Sequence, residues 1–98
     1  MNDILRFEWN EAKSEKCLRD RGFSFAFLVA AFADPDRRVE IDERWEYGEV
    51  RYRLYGRVDG RLFVVVYTKR GRVVRIISAR KANARERRDY GNEGSPQG

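Results

Sequence analysis

The second half of the chain constrains the fold most. From Arg37 onward apolar and polar residues alternate with a period of two, and glycines punctuate the pattern at Asp59-Gly60 and Arg70-Gly71. Alternation of that kind places successive side chains on opposite faces of a strand. Asp59-Gly60 is a strong two-residue hairpin signal, because a type I′ turn needs positive φ at both centres, and Arg70-Gly71 is a weaker signal of the same kind. The pattern predicts strands at about 37–42, 49–57, 61–68 and 72–79. The last three, joined by connections too short for a crossover, form an antiparallel meander.

Centring both turns fixes a register. Leu54 then lies opposite Val65 and Arg53 opposite Val66; Val65 lies opposite Ile76 and Val66 opposite Arg75. One face becomes apolar, with Tyr52, Leu54, Phe63, Val65, Tyr67, Val74 and Ile76. The other carries Arg51, Arg53, Tyr55, Arg57, Val64, Val66, Thr68, Arg75 and Ile77. On this register Arg53 and Arg75 flank Val66, about 10 Å apart. A face so rich in arginine suits a phosphate-binding floor; a solvated sheet face is the plainer alternative.

Upstream the period is helical. Ile4 to Trp9 alternates and predicts a short strand; Asn10 is an N-cap and Gly22 a stop, which predicts a helix over 11–21. Ser24 opens a second helix, Phe25 to Ala33, closed by Asp34-Pro35, with Phe25, Leu28, Val29 and Phe32 on its buried side. A last helix is expected from 82 to 90, with Ser78 or Asn83 as its cap, Glu86 pairing with a basic neighbour and Tyr90 as an anchor against the sheet. After Tyr90, Gly, Ser and Pro replace apolar residues, so 91–98 reads as a disordered tail to a single domain over 1–90.

Composition narrows the chemistry. The 98 residues include no histidine and one cysteine, Cys17. Ser-His and Cys-His nucleophilic sites are thereby excluded, as are the usual zinc sites and any internal disulfide. No metal or cofactor is implied. The longest uncharged run, Gly22 to Ala33, is too short to span a bilayer at about 20 residues. With no secretory signal visible, a cytoplasmic setting without membrane contact is expected. The net charge of +5 hides an asymmetry. Residues 1–50 hold eight Lys/Arg against twelve Asp/Glu, a balance of −4, and residues 51–98 hold thirteen against four, a balance of +9. A surface for a polyanion, nucleic acid first, follows from that excess; simple solubility would also account for it.

Across about residues 7–90 the chain resembles the BrnT toxins, a branch of the RelE-like ribonuclease toxins. The resemblance is carried by Phe7-Glu8-Trp9-Asn10-Glu11-Ala12-Lys13, Gly22-Phe23-Ser24-Phe25, Phe32-Ala33-Asp34-Pro35, Tyr47-Gly48-Glu49-Val50-Arg51, Val65-Val66-Tyr67-Thr68, Arg75-Ile76-Ile77-Ser78-Ala79-Arg80-Lys81-Ala82 and Glu86-Arg87-Arg88-Asp89-Tyr90. It departs in the first helix, where members often read Asn-x-x-Lys-His-Gly and this chain has Cys17-Leu18-Arg19-Asp20-Arg21-Gly22. The resemblance implies an α+β, RelE-like fold: a twisted antiparallel sheet of four main strands, two N-terminal helices on one face and a C-terminal helix. It also implies a toxin that cleaves RNA and inhibits translation and growth, a BrnA-type antitoxin as partner, operator DNA bound only through the complex, and a heterotetramer with the antitoxin. For cleavage without metal or histidine, Arg53, Arg75 and Arg80 are expected to grip the scissile phosphate. Glu49 or Tyr55 is expected to handle protons, with Arg51, Arg57 and Lys81 as RNA contacts. Non-catalytic binding of nucleic acid, or of an acidic partner, by the same face is the alternative.

Overall fold

The computed structural model describes residues 6–43 and 48–91. Its elements in chain order are β1 (Arg6–Trp9), α1 (Glu11–Arg21), α2 (Phe25–Leu28) with a 3-10 turn (Val29–Ala33), β2 (Arg38–Ile41), β3 (Tyr52–Val58), β4 (Arg61–Arg70), β5 (Val73–Lys81) and α3 (Ala84–Glu86) with a π-helical turn (Arg87–Gly91). Ile4, the expected start of the first strand, and residues 92–98 of the expected tail lie outside the described residues.

The strands form one sheet in the order β1-β5-β4-β3-β2. This corrects the expected four-stranded antiparallel sheet. β1 joins the outer edge of β5 and runs parallel to it, pairing Arg6 with Val73 through Trp9 with Ile76. A parallel neighbour needs a long crossover, and everything from α1 to β4 supplies it.

Local chemistry sets the helices. The Asn10 side chain accepts the Lys13 backbone N–H at 3.1 Å, and Gly22, with φ at +93°, ends α1 by donating its N–H to Leu18 O at 3.0 Å. The buried Ser14 hydroxyl accepts the Phe25 N–H at 2.9 Å, which ties α1 to α2. The second helix was expected to reach Ala33, but α-geometry stops at Leu28 and the chain tightens into the 3-10 turn. That turn is pressed onto β3: a Cβ built on Gly56 would lie 2.6 Å from the Ala31 carbonyl oxygen. Beside it, one Asp34 carboxylate oxygen accepts the Arg57 backbone N–H at 2.7 Å and the other accepts the Asp36 N–H at 2.9 Å. Asp34 thus extends the sheet edge ahead of the start of β2 and closes the Pro35 turn.

The main core lies between these N-terminal helices and one sheet face. Leu28, Leu54, Phe63, Val65, Val74 and Ile76 are almost fully buried there. Phe32 meets Phe7 and Tyr67 edge-on, and Phe23 meets Phe63 in the same way. The opposite face has a smaller cluster, Tyr55, Leu62, Val64 and Ala82, covered by Tyr90. The expected C-terminal helix over 82–90 is shorter than its sequence suggests. Ala82 still donates to Leu62 O at 3.0 Å as an extension of the sheet, and the wide turn after Glu86 brings Tyr90 back over Tyr55.

The first hairpin has the register read from its turn. Leu54 faces Val65, Arg53 faces Val66, and Asp59 and Gly60 both have positive φ, +52° and +80°. The second differs. Arg70 pairs with Val73, so the turn is centred on Gly71-Arg72; Gly71 has φ +61°, at the first central position that type II′ turns give to glycine. Tyr67, not Val65, therefore faces Ile76, and Thr68, not Val66, faces Arg75. Further along, Val66 faces Ser78, which leaves Ile77 without a partner in a β-bulge.

The close approach at Gly56 yields a prediction. Gly56→Ala should lower stability by about 1–3 kcal/mol, the usual range for forcing extra volume into a packed interior. Urea unfolding measures it; a midpoint equal to that of the unaltered protein would show that the 3-10 turn gives way at no cost.

Candidate functional site

The bulge decides which side chains meet on the second face. With the register of Tyr67 and Ile76 continued unbroken, Arg80 would point into the core beside Phe63. The extra residue at Ile77 instead pairs Val64 with Arg80 and Val66 with Ser78. Arg80 thus shares the face of Arg53 and Tyr55, with its backbone two strand spacings from Tyr55, about 10 Å.

Arg53 is the centre of the cluster. Its Nη2 donates to Glu40 Oε1 at 2.8 Å, its Nη1 to Asp42 Oδ1 at 2.9 Å, and its Nε to the Tyr55 hydroxyl at 3.2 Å. β2 delivers the carboxylates through its pairing with β3, which sets Glu40 opposite Arg53. The Asp42 side chain is completely buried and that of Arg53 is 18% exposed. Burial by itself would depress the Arg53 pKa, but hydrogen bonds with Glu40 and Tyr55 hold it above the usual arginine range. The guanidinium is permanently charged.

Tyr90 closes one side. Its ring stacks on Tyr55 with centroids 4.2 Å apart and planes 9° from parallel, and its hydroxyl donates to Glu40 Oε2. The hydrogen bond from Tyr90, then that from Arg53, holds the Glu40 carboxyl below the ordinary glutamate range. The same bond pushes the Tyr90 phenol up to about 12. Arg38 lies over the Tyr90 ring, 6.0 Å from its centre.

Arg80 donates through Nη1 and Nη2 to the two carboxylate oxygens of Glu86, at 2.8 and 2.9 Å. Glu86 also takes part in a reciprocal cap with Asn83, accepting its N–H at 2.9 Å while the Asn83 side chain accepts the Glu86 N–H at 2.8 Å. The Arg80 hydrogen bonds, chiefly, hold Glu86 below its ordinary range. Arg53 lowers it further, and Glu86 in turn raises Glu40, so the two arginine–carboxylate pairs share one field.

Other predicted residues lie apart from this cluster. The expected juxtaposition of Arg53 and Arg75 across Val66 is corrected by the shifted register: Arg75 faces Thr68 and Glu8, and its Nη1 donates to Glu8 Oε2 at 3.2 Å. Glu49 precedes β3, where it pairs with Arg51 at 3.4 Å and Arg70 at 3.7 Å. Arg57 and Lys81 line a separate cavity with Arg61 and Arg87. Sequence reading passed over Glu40 and Asp42. Their signal was the period-two spacing of two acids, Glu40 and Asp42, on a strand due to pair with the arginine-rich β3. Among the described residues no three histidine, cysteine, aspartate or glutamate side chains converge as a metal site, and no helix is long and apolar enough to cross a membrane. Cys17 is buried, which pushes its thiol up.

The pairing has a pH signature. For a carboxyl whose folded pKa is depressed, the unfolded chain takes up the proton first, so stability is lost as pH falls. Glu40 and Glu86 contribute fully above the ordinary glutamate value of 4.5, and the contribution declines below it as pH passes through their folded values. Thermal unfolding between pH 6 and 3, about the span in which glutamates titrate, should show a steeper acid decline for the unaltered protein than for Glu86→Gln. Parallel curves would assign the decline to other groups.

A model of the family described as "Ribonuclease toxin, BrnT, of type II toxin-antitoxin system" matches residues 9–86. No curated protein gives a significant match.

Proposed function

The chain belongs to the BrnT family of type II toxin–antitoxin ribonuclease toxins, and from that premise we propose that its bulged sheet face is the RNA-cleaving site. The supporting observation is the grouping of two arginine forks, three carboxylates and two stacked tyrosines on that face, Arg53 with Glu40 and Asp42 and Arg80 with Glu86.

Cleavage of RNA by its own 2′-hydroxyl needs three things: an in-line geometry, an acceptor for the hydroxyl proton, and stabilisation of the charge on the phosphorane. Arg53 and Arg80 supply the third through planar forks that need no metal and no change of protonation. An entering phosphodiester competes with Glu40 for Arg53. As the arginine turns to the phosphate, Glu40 loses one of the two hydrogen bonds that depress its pKa. Its affinity for a proton rises, and it becomes the acceptor for the 2′-hydroxyl. Tyr90, protonated up to about pH 12, donates toward the leaving 5′-oxygen. The Tyr55 hydroxyl, bonded to Arg53 Nε at 3.2 Å, orients the fork. Arg75 and Arg51 lie further along the sheet as outer contacts to the RNA strand, and Glu49 positions Arg51.

In this reading the protein halts translation and growth by cutting RNA. A BrnA-type antitoxin neutralises it in a heterotetramer, and the complex, not the toxin alone, engages operator DNA. An antitoxin that supplied acidic or strand-forming residues to this face would block it directly.

Arg53→Ala and Arg80→Ala should each reduce RNA cleavage by about 10²–10³-fold, the range seen when one transition-state donor is removed, and should relieve growth arrest on induction. Glu40→Gln should give a comparable loss and flatten the acid limb of the pH–rate profile. Undiminished cleavage by both arginine variants would move the chemistry away from this face.

A further inference from the structure

Most arginines on the second face are held by carboxylates, but one concave region is not neutralised. Beyond the Asp59-Gly60 turn, where β4 begins and β5 ends, a cavity of about 450 Å³ is lined by Arg57, Arg61, Lys81 and Arg87 over a floor that includes Leu62 and Ala82. No carboxylate among the described residues lines it. Among the described residues, none of the four cations makes an ion pair, whereas Arg53, Arg75 and Arg80 all do. Arg87 is held in place by its own bond, Nη1 donating to Ala82 O at 3.1 Å.

Four like charges around one hollow repel each other, and no ion pair among the described residues relieves that repulsion. An anion would. The volume falls in the usual range of about 300–1,000 Å³ for small-ligand sites, which admits a nucleotide as well as a phosphate. Leu62 and Ala82 also belong to the apolar cluster under Tyr55 and Tyr90, so cavity and cluster share a floor. Arg57 follows Tyr55 by two residues on β3, on the same face, about 7 Å along the strand. That step is comparable with the distance between neighbouring phosphates of a single strand.

We infer that this cavity is a phosphate subsite for single-stranded RNA, seating a nucleotide next to the one whose phosphodiester lies at Arg53 and Arg80. The inference rests on the ribonuclease reading and deepens it. Arg57, Arg61, Lys81 and Arg87 grip the neighbouring phosphate, and the apolar floor receives part of the sugar or base. RNA is favoured over an acidic protein segment because the cavity shares its Leu62 and Ala82 floor with the Tyr55–Tyr90 cluster of the proposed cleavage site.

The test uses a short, fully 2′-O-methylated RNA, which lacks the attacking hydroxyl, with binding read by fluorescence anisotropy over a series of salt concentrations. Arg61→Gln/Arg87→Gln should weaken binding about tenfold or more, as expected for lost charge-assisted bonds. The slope of log K against log salt should become shallower by about 0.7, the value for one single-strand phosphate contact. Arg61→Gln alone, at an exposed position with no internal bond, repeats the test without the Ala82 contact. Arg19→Gln on α1 removes the same charge elsewhere and should leave affinity within about twofold. If the double variant binds like Arg19→Gln or keeps the full salt slope, the subsite is refuted. When the unaltered protein still cleaves unmodified RNA, that refutation leaves the ribonuclease reading intact. No cleavage and no RNA binding by the unaltered protein refutes both. Loss of affinity for an acidic peptide with RNA affinity intact refutes the RNA assignment.

Discussion

One unpaired residue organises the candidate face. β5 must place Val74 and Ile76 in the core beside Tyr67, and it must place Arg80 on the opposite face beside Tyr55. Both Ile76 and Arg80 are even-numbered, so a regular strand would put them on the same side. The bulge at Ile77 resolves the conflict: before it the even positions face the core, and after it the odd position Ala79 does, at 7% exposure. Arg80, its partner Glu86, the Asn83 cap and the returning Tyr90 depend on that local change of phase. A device of this kind is common where a sheet must re-aim one side chain.

The charge asymmetry of the sequence has a spatial meaning. Acids from the front half meet cations from the back half across the sheet: Glu40 and Asp42 with Arg53, Glu8 with Arg75, Glu49 with Arg51 and Arg70. What appears along the chain as −4 followed by +9 is partly paired in space, because β1 and β2 at the sheet edges each bring one glutamate to an arginine of a neighbouring strand. Part of the uncompensated remainder lies at one end of the sheet, around Arg57, Arg61, Lys81 and Arg87. Net charge alone could not separate neutralised arginines from available ones.

Much of the fold was legible because it is set by local chemistry. The Asn10 and Ser24 caps, the Gly22 stop and the Asp59-Gly60 turn each act within a few residues, and α1, the start of α2 and the first hairpin follow from them. The RelE-like expectation carried the α+β class, but the sheet has five strands because Arg6–Trp9 pairs with β5, a contact some 67 residues away in the chain. The second hairpin differs because Arg70-Gly71 and Gly71-Arg72 are both acceptable turns, and the chain takes the second, with Gly71 at φ +61°. Arg53, Tyr55 and Arg80 could be singled out from the strand pattern. Glu40 and Asp42 could not be assigned to Arg53 until β2 was placed at the sheet edge.

The same carboxylates that neutralise the arginines make the site available. A guanidinium as enclosed as that of Arg53, 18% exposed, would be costly without a counter-charge. Glu40 and Asp42 therefore stabilise the face while it is empty. The Glu40 carboxylate is itself 38% exposed, so water takes over its solvation when it leaves the arginine. That lowers the cost of exchanging it for a phosphodiester. Asp42, fully buried, stays with Arg53 through the exchange and keeps the fork aligned. In the proposed cleavage one acid leaves the arginine and takes up a proton while the other remains, a division of roles that matches the difference in their burial.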